Sequence, residues 1–570
     1  VNEVIIIYAV TLLLAWPLGK YIAGVFSGGK GAGGTVFLPV EKGLYRLFGV
    51  NPSQAMSWQG YGKALLKLHL MLVLIVFGLL MAQGLLFLNP DSIDGMSWDL
   101  ALHTAVSFLT NTNQQHYSGQ AQLSYLAHTF GIVTLQVVTP AAGMAALVAI
   151  VRTLFGRGDK KSQASSEGSV SVGNFYEDIT RAVVRVMLPV AAVVALLIAS
   201  QGVPNSYEGA RTFVPLDQAA EMSEQHIPIG PVAPMVAIKQ VGTNGGGWYG
   251  PNSSVPLENP TPVSNFVQTV SLVLIPAALV FALGFLTGRR RLTWVVMGVM
   301  VVMSVSLTSV AIWSENQPNA AFFGLAAEGP NLEGKEVRFG ASATALWGSW
   351  TTQTSNGSVN GMHDSFNPIG GMIPMIDMFI NVTFGGIGVG LIGFMVFLLL
   401  AAFLGSLMIG RAPEFLGKPL EARELKLICI TLLIQPLLIL GFSAITVAFP
   451  TLTGNSNPGF HGLSQVVYEY TSAFANNGSG FEGLGDDSIW WNVTCAVNLA
   501  LGRFIPMLAP LAIAASLAAK RSAPEGRGSL RIDTPTFGLM TLAVIVMFTL
   551  LSFMPVLILG PIAEALALMS

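Results

Sequence analysis

The chain has 570 residues, of which 52% are hydrophobic and only 10% charged, with a formal net charge of −2 and a mean hydropathy of +0.62. A soluble protein carries about 25% charged residues, so this surface cannot face water throughout and the chain reads as an integral membrane protein. The charge balance gives no reason to expect nucleic-acid binding. The two cysteines, Cys429 and Cys495, lie in separate apolar runs and the seven histidines show no ligand spacing, so the sequence predicts neither a disulfide framework nor a thiolate metal site.

A helix crossing the hydrocarbon needs roughly 20 apolar residues. The first such run is 3–26, within "VNEVIIIYAVTLLLAWPLG". An acid rather than a basic cluster precedes it, so it reads as a retained span and not a cleavable signal. Lys30, Lys42, Arg46 and Lys63 follow. Span 64–88 comes next, then a weakly apolar stretch, 98–120, too short to span and carrying "TNTN" at Thr110 to Asn113. Span 124–154 ends among Arg152, Arg157, Lys160 and Lys161. Span 178–200 leads to 231–250 with "TNGG" at Thr243 to Gly246, and span 264–288 ends on Arg289, Arg290 and Arg291. Span 292–313 precedes 341–361, with "SNGS" at Ser355 to Ser358, and the long apolar run 371–408 is followed by Arg411, Lys418, Arg423 and Lys426. Span 426–449, the stretch 463–483 with "NNGS" at Asn476 to Ser479, and span 489–518 complete the pattern, before Lys520, Arg521, Arg527, Arg531 and a last span, 535–560. These are ten crossings of an all-α polytopic protein. The other set of loops holds only Arg211, Lys239, Lys335 and Arg338, so the positive-inside rule puts the basic clusters in the cytoplasm and both termini outside.

The four short stretches share their chemistry. Asparagine holds the second place in each tetrapeptide, at Asn111, Asn244, Asn356 and Asn477; glycine holds the third at Gly245, Gly357 and Gly478, with Thr112 there in the first. Non-helical backbone at membrane depth is tolerated only inside protein or along a wet cavity. Four such stretches meeting on one axis would surround it with backbone carbonyls, which can replace the water of a dehydrating cation. Turning successive carbonyls to one side needs backbone angles that glycine adopts freely. Ordinary Gly/Asn turns would explain one copy; four copies in register, each between spans, point to a selectivity filter.

"VSFLTNTNQQHYSGQ" (106–120), "GTNGGG" (242–247), "NGSVNGMHDSF" (356–366), "GRAPEFLGK" (410–418), "NNGSGFEGL" (476–484) and "GRFIPMLAPLAIA" (502–514) resemble the KdpA family from the first span to the last. These are the potassium-binding subunits of the bacterial Kdp potassium-transporting P-type ATPase, related to other potassium transporters of four channel-like repeats. The resemblance implies span–pore loop–span repeats in a pseudo-fourfold arrangement plus an extra first and last span. It divides the chain into 1–63, the repeats 64–173, 174–291, 292–425 and 426–520, and 521–570. It also implies that Asn111, Thr112, Thr243, Asn244, Gly245, Ser355, Asn356, Gly357, Asn476, Asn477 and Gly478 bind dehydrated potassium at the outer mouth. Some relatives carry cysteine at position 356; if the backbone oxygen does the work there, asparagine serves equally.

Three further features are candidates for the ion path. "FGGIGVGLIG" (384–393) interrupts the seventh span and contains a formal G-x-G-x-x-G, but no soluble strand precedes it and an apolar run follows, so a dinucleotide site is excluded. Close helix packing through small residues is one reading; the resemblance implies a broken helix below the filter, with Gly385, Gly386, Gly388 and Gly390 obstructing the path. Relatives have a glutamate where this chain has Asn381, and Asp377 lies one turn earlier. Arg503, a charge inside an apolar helix, costs about 2.5–3.5 kcal/mol at the bilayer centre on insertion scales, so it is expected to face a wet interior, where the resemblance implies a barrier to leak, or else to snorkel to an interface. Glu258, Asp364, Glu482, Asp486 and Asp487 follow filter loops and would concentrate cations at the mouth, unless they are ordinary loop charges.

A passive pore is limited. At 100 mV one charge gains about 2.3 kcal/mol against about 1.4 kcal/mol per tenfold gradient, a ceiling of about 50-fold. The chain has no G-x-x-x-x-G-K-[ST] loop and no Asp-Lys-Thr-Gly motif, so no nucleotide is expected to bind it and it is not expected to be an enzyme on its own. The resemblance supplies the engine: a KdpB-like P-type ATPase subunit, with a KdpC-like subunit and a small single-span subunit, in a bacterial plasma membrane. A stand-alone Trk/Ktr-like channel or symporter gated by soluble regulators is the alternative.

Overall fold

The computed structural model describes residues 2–27, 34–156, 170–217, 222–322, 328–523 and 530–569. Lys30, Arg157, Lys160, Lys161 and Arg527 of the basic clusters lie outside them. Among the described residues ten helices are long and apolar enough to cross a membrane: Asn2–Phe26, Trp58–Leu85, Ala127–Phe155, Phe175–Ser200, Pro262–Thr287, Arg290–Phe322, Val389–Met408, Ala422–Ala448, Ile489–Ala519 and Pro535–Met569, called spans one to ten. Among the described residues the fold is all-α apart from two short antiparallel strand pairs, Arg211–Phe213 with Gln225–Ile227 and Glu414–Phe415 with Lys418–Pro419.

Local chemistry sets the helix ends. Ser57 Oγ accepts from Gly60 N (3.1 Å) before span two, and Thr261 and Ser264 form a reciprocal capping box before span five, each occupying N–H groups that the first turn leaves unpaired. Gly288, at φ +71°, ends span five in the left-handed turn that glycine tolerates. An amphipathic helix, Gly34–Leu47, lies between the first two spans. Its Glu41 is held by Arg185 of span four through paired bonds of 2.5 and 2.6 Å.

Burial separates two classes of span. Spans three, five, seven and nine bury 78, 83, 67 and 61% of their most apolar stretches, whereas spans two, four, six and eight bury 28, 44, 44 and 33%. The first class follows the four short helices Trp98–Leu109, Val232–Val241, Gly340–Gln353 and Gly459–Ala475 and forms the interior. The second presents side chains such as Leu74, Leu196 and Leu437 outward, where lipid would cover them. Span one lies along span five, where a Cβ on Gly19 would sit 2.8 Å from Phe281 Cβ. Span ten packs on the helix Pro368–Ile380, with Phe553 stacked on Phe379 at 3.9 Å. Spans one and ten each bury 28% of their most apolar stretches, as span two does.

The apolar run expected as one seventh span is two helices. Pro368–Ile380 ends at Asn381 in a left-handed turn (φ +50°), and Val389–Met408 begins only after the glycine-rich segment 381–388.

Candidate cation-binding site

The short helices are 12, 10, 14 and 17 residues long, and each runs at its C-terminal end straight into one of the asparagine- or glycine-bearing loops. In all four, a backbone N–H turns back to the helix carbonyl five residues earlier: Thr112 to Ser107 (3.0 Å), Asn244 to Lys239 (2.9 Å), Asn356 to Thr351 (2.9 Å) and Asn477 to Ser472 (2.9 Å). The residue before and the residue after have positive φ: Asn111 and Asn113 (65°, 56°), Thr243 and Gly245 (50°, 93°), Ser355 and Gly357 (51°, 86°), Asn476 and Gly478 (52°, 103°). With amide hydrogens drawn into the protein and left-handed residues alternating with ordinary ones, the loops have the backbone that turns successive carbonyls to a common side.

This register corrects the sequence alignment of the first loop by one residue. Asn111 corresponds to Thr243, Ser355 and Asn476, Thr112 takes the asparagine place, and Asn113, absent from the sequence-based set, takes the glycine place. Matching letters favoured asparagine on asparagine; the position of the helix end decides otherwise.

The loops touch in cyclic order. A Cβ on Gly245 would overlap Asn356 O, one on Gly357 would overlap Asn477 O, and one on Gly478 would overlap Thr112 O. The circle closes between Asn113 and the second loop, where Gly246, not Gly245, makes room: a Cβ there would stand 2.7 Å from Asn113 Cβ. Side chains brace the ring from behind. Asn356 Nδ2 donates to Lys239 O (3.0 Å), Asn477 Nδ2 to Thr351 O (2.9 Å) and Asn476 Nδ2 to Thr112 Oγ1 (3.0 Å). Pro140 lacks the N–H that would pair with Gln136 O within span three, and the Asn244 amide, turned to suit its neighbours, donates to that oxygen at 3.1 Å.

Below the ring is a cavity of ≈ 60 Å³ whose lining includes Asn111, Ser355, Asn476, Asn381, Gly386, Gly390, Gln435 and Arg503. Four helix C-termini lead into the ring above it, each carrying a partial negative charge near −0.5, an electrostatic setting for a cation. The broken segment lies directly beneath. Phe384 N and Gly385 N donate to Gln353 O (3.2 and 2.7 Å), and Ile387 N donates to Thr243 Oγ1 (3.2 Å). Gly388 closes on span three, where its Cβ would overlap Gly143 O. Both small-residue packing and a true break are therefore present. Arg503 is buried and donates from Nη2 to Thr139 O at 3.0 Å, so it does not snorkel. Asp377 stands behind the third short helix, accepting from Ser349 Oγ (3.0 Å) and Thr352 Oγ1 (3.3 Å); Asn381, not Asp377, lines the cavity and accepts from Ser355 Oγ at 2.9 Å.

Above the ring lies a cavity of ≈ 500 Å³ whose lining includes Gln114, His116, Gly357, Glu469, Gly478, Glu482 and Asp486. Of the acids expected at the mouth, Glu482 and Asp486 are there. Glu258 is not: it is fully buried in an ion pair with Lys239, which holds the helix before the second loop. Asp364 is engaged by His461 Nε2 (2.9 Å), whose Nδ1 reaches Glu564 of span ten (2.8 Å). Burial alone would lower the His461 pKa, but these two carboxylates raise it to about 10. Asp487 accepts from Asn492 at 3.4 Å. Glu469, not anticipated, was legible in principle as an acid within a short apolar helix. Among the described residues, His116, Glu469 and Cys495, which no sequence spacing links, have ligand atoms within 4.8 Å of one another.

The KdpA family model, "Potassium-transporting ATPase A subunit", matches residues 5–566. The chain belongs to the KdpA family. A "Potassium-transporting ATPase potassium-binding subunit" of Bacteroides fragilis is 44% identical over 568 residues, 98% of this chain and 97% of the relative. Proteins of the same description from Gloeobacter violaceus (44% over 561 residues, 96% and 95%) and Flavobacterium psychrophilum (42% over 577 residues, 98% of each) are similar throughout. The motifs behind the resemblance and the ten apolar spans thus agree with the family match.

Proposed function

We propose that this KdpA-family chain takes dehydrated potassium at its outer face and hands it to an ATP-driven import complex. The observation that carries the reading is the cyclic contact of four loops with the same backbone register over four helix C-termini. Thr112, Asn113, Asn244, Gly245, Asn356, Gly357, Asn477 and Gly478 would supply the ring of oxygens, with Asn111, Thr243, Ser355 and Asn476 at its inner edge. On this reading 64–173, 174–291, 292–425 and 426–520 are the four repeats, the basic loops face the cytoplasm of a bacterium, and both termini lie outside.

An ion passing the ring enters the lower cavity, meets the broken segment 381–388 beneath it and Arg503 beside it, and leaves sideways past Gln435 rather than straight down. Arg503 keeps an unpumped ion from crossing. The energy comes from a KdpB-like P-type ATPase subunit, assembled with KdpC-like and small single-span subunits; the names of the relatives, subunits of a potassium-transporting ATPase, support this partnership. Affinity purification of the full chain from its native membrane tests it. Stable recovery of a P-type ATPase with potassium-stimulated ATP hydrolysis is expected; sustained potassium uptake by the chain alone would instead identify a Trk/Ktr-like transporter.

A further inference from the structure

The buried group beside the filter mouth has an electrostatic gap. Asn492 Nδ2 donates to Asp99 Oδ2 (2.9 Å), which leaves Asn492 Oδ1 to accept from His116 Nδ1–H (2.7 Å). That bond fixes the tautomer, because a neutral imidazole carrying its proton on Nδ1 has a lone pair on Nε2. In the neutral ring that lone pair faces Glu469 Oε1 at 3.2 Å, with Asp486 Oδ2 at 4.0 Å. Cys495 Sγ completes a cluster with His116 and Glu469 in which all ligand atoms lie within 4.8 Å. Two acceptors so close need a cation between them. A proton is one candidate, and a metal ion is the other.

The ligand set favours a particular metal. Thiolate, imidazole and carboxylate together suit borderline-soft Zn²⁺, whose bonds of roughly 2.0–2.3 Å place tetrahedral ligand atoms about 3.3–3.8 Å apart, so a contraction of about 1 Å completes the site. The orienting Asn492 is the outer-shell partner that a ligating histidine characteristically has. His103 stacks flat on the His116 ring (3.6 Å between centroids, 12°), and its own Nδ1 has no partner. His116, Glu469 and Asp486 also line the ≈ 500 Å³ mouth cavity, which gives an ion a route in.

We propose that His116, Glu469 and Cys495, with Asp486 as fourth ligand, form a Zn²⁺ site reached from the mouth of the filter. Binding forms a Zn–S bond and releases to the mouth water both the Cys495 thiol proton and the proton that otherwise lies between His116 Nε2 and Glu469. The metal competes with Gln114, whose side-chain amide donates to Glu469 and which directly follows Asn113. Occupancy therefore loosens the first filter loop and lowers potassium uptake, a consequence that rests on the filter reading, whereas metal binding itself does not.

The test uses Co²⁺ as the probe on the full-length chain in detergent, in a Cys429→Ser background so that Cys495 is its sole thiol. A near-ultraviolet thiolate-to-cobalt absorption, displaced by Zn²⁺ and lost in Cys495→Ser, is expected. Asn492→Ala retains the three principal ligands and should weaken Zn²⁺ affinity by roughly 10–100-fold, the usual outer-shell effect. No thiolate band in the folded chain, or an unchanged band in Cys495→Ser, would overturn the site and leave a proton in the gap. Zn²⁺ inhibition of potassium-stimulated ATP hydrolysis by the complex, relieved in Cys495→Ser, is the functional counterpart; a bound metal without inhibition would overturn only the coupling to the filter.

Discussion

The sharpest test of the filter compares its three regular glycine positions with the irregular one, Asn113. Gly357 has φ +86°, and a Cβ there would overlap Asn477 O of the next loop. The left-handed backbone alone costs a residue with a Cβ about 1–2 kcal/mol, a factor of about 5–30 in an equilibrium, and the overlap with the carbonyl adds to it. Gly357→Ala, and likewise Gly245→Ala and Gly478→Ala, should therefore weaken potassium binding by at least that factor and admit sodium. The first loop behaves differently, since Asn113 already has a Cβ at φ +56°. Asn113→Ala should be mild. Gly246→Ala should be severe although Ser358 and Ser479 occupy the equivalent places, because its Cβ would meet Asn113 Cβ at 2.7 Å and Phe108 Cζ at 2.8 Å. Asn113→Gly should partly rescue it, with a coupling energy of about 0.5–3 kcal/mol, the range for residues in contact. The assay is potassium-stimulated ATP hydrolysis by the purified complex across potassium and sodium concentrations. Unchanged ion preference in all three glycine variants, together with additivity of the Asn113 and Gly246 changes, would refute the ring.

Arg503→Ala should produce potassium leak into vesicles without ATP: at an effective dielectric of 20 and roughly 6 Å, a guanidinium repels a cation by about 2.8 kcal/mol, near 100-fold. Arg503→Lys should be intermediate, and a folded alanine variant without leak would rule out the barrier. Glu258→Gln leaves Lys239 buried without its counter-charge and should destabilise the fold by about 3–5 kcal/mol, read as lower recovery of the protein in detergent; normal recovery would show that the pair is dispensable. His461, raised from its ordinary 6.5 to about 10, should stabilise fully below pH 6.5 and lose that contribution as pH rises through 10. The thermal midpoint should fall over that interval, and fall less in His461→Gln; equal slopes would remove His461 from the link between Asp364 and Glu564. Reporter fusions after Arg290 and near Asp217 should report opposite sides of the membrane, and agreement between them would undo the topology.

Much of this protein was legible in one dimension. Ten apolar runs of bilayer length are ten spans here, because backbone groups in hydrocarbon must pair within their own helix, making each span a local property of the sequence. The interruption at 384–393 was legible for a related reason: five glycines in ten residues make a poor helix, and Gly385 and Gly388 indeed have positive φ. The register of the first loop was not, since "TNTN" offers two asparagines and only the end of the preceding helix selects which residue stands in the glycine place. Charges misled for the same reason. Glu258 looked like a mouth acid until Lys239, 19 residues away, was found against it, and Asp377 looked like a path residue until Asn381 took that place. The grouping of His116, Glu469 and Cys495 had no spacing to reveal it, because the three come from a loop, a short helix and a span joined only by packing. Short-range rules, the length of an apolar run and the backbone freedom of glycine, let the sequence determine the spans, the break and the four loops. Which side chains meet across hundreds of residues depends on the packed interior, and that the tertiary structure alone decided.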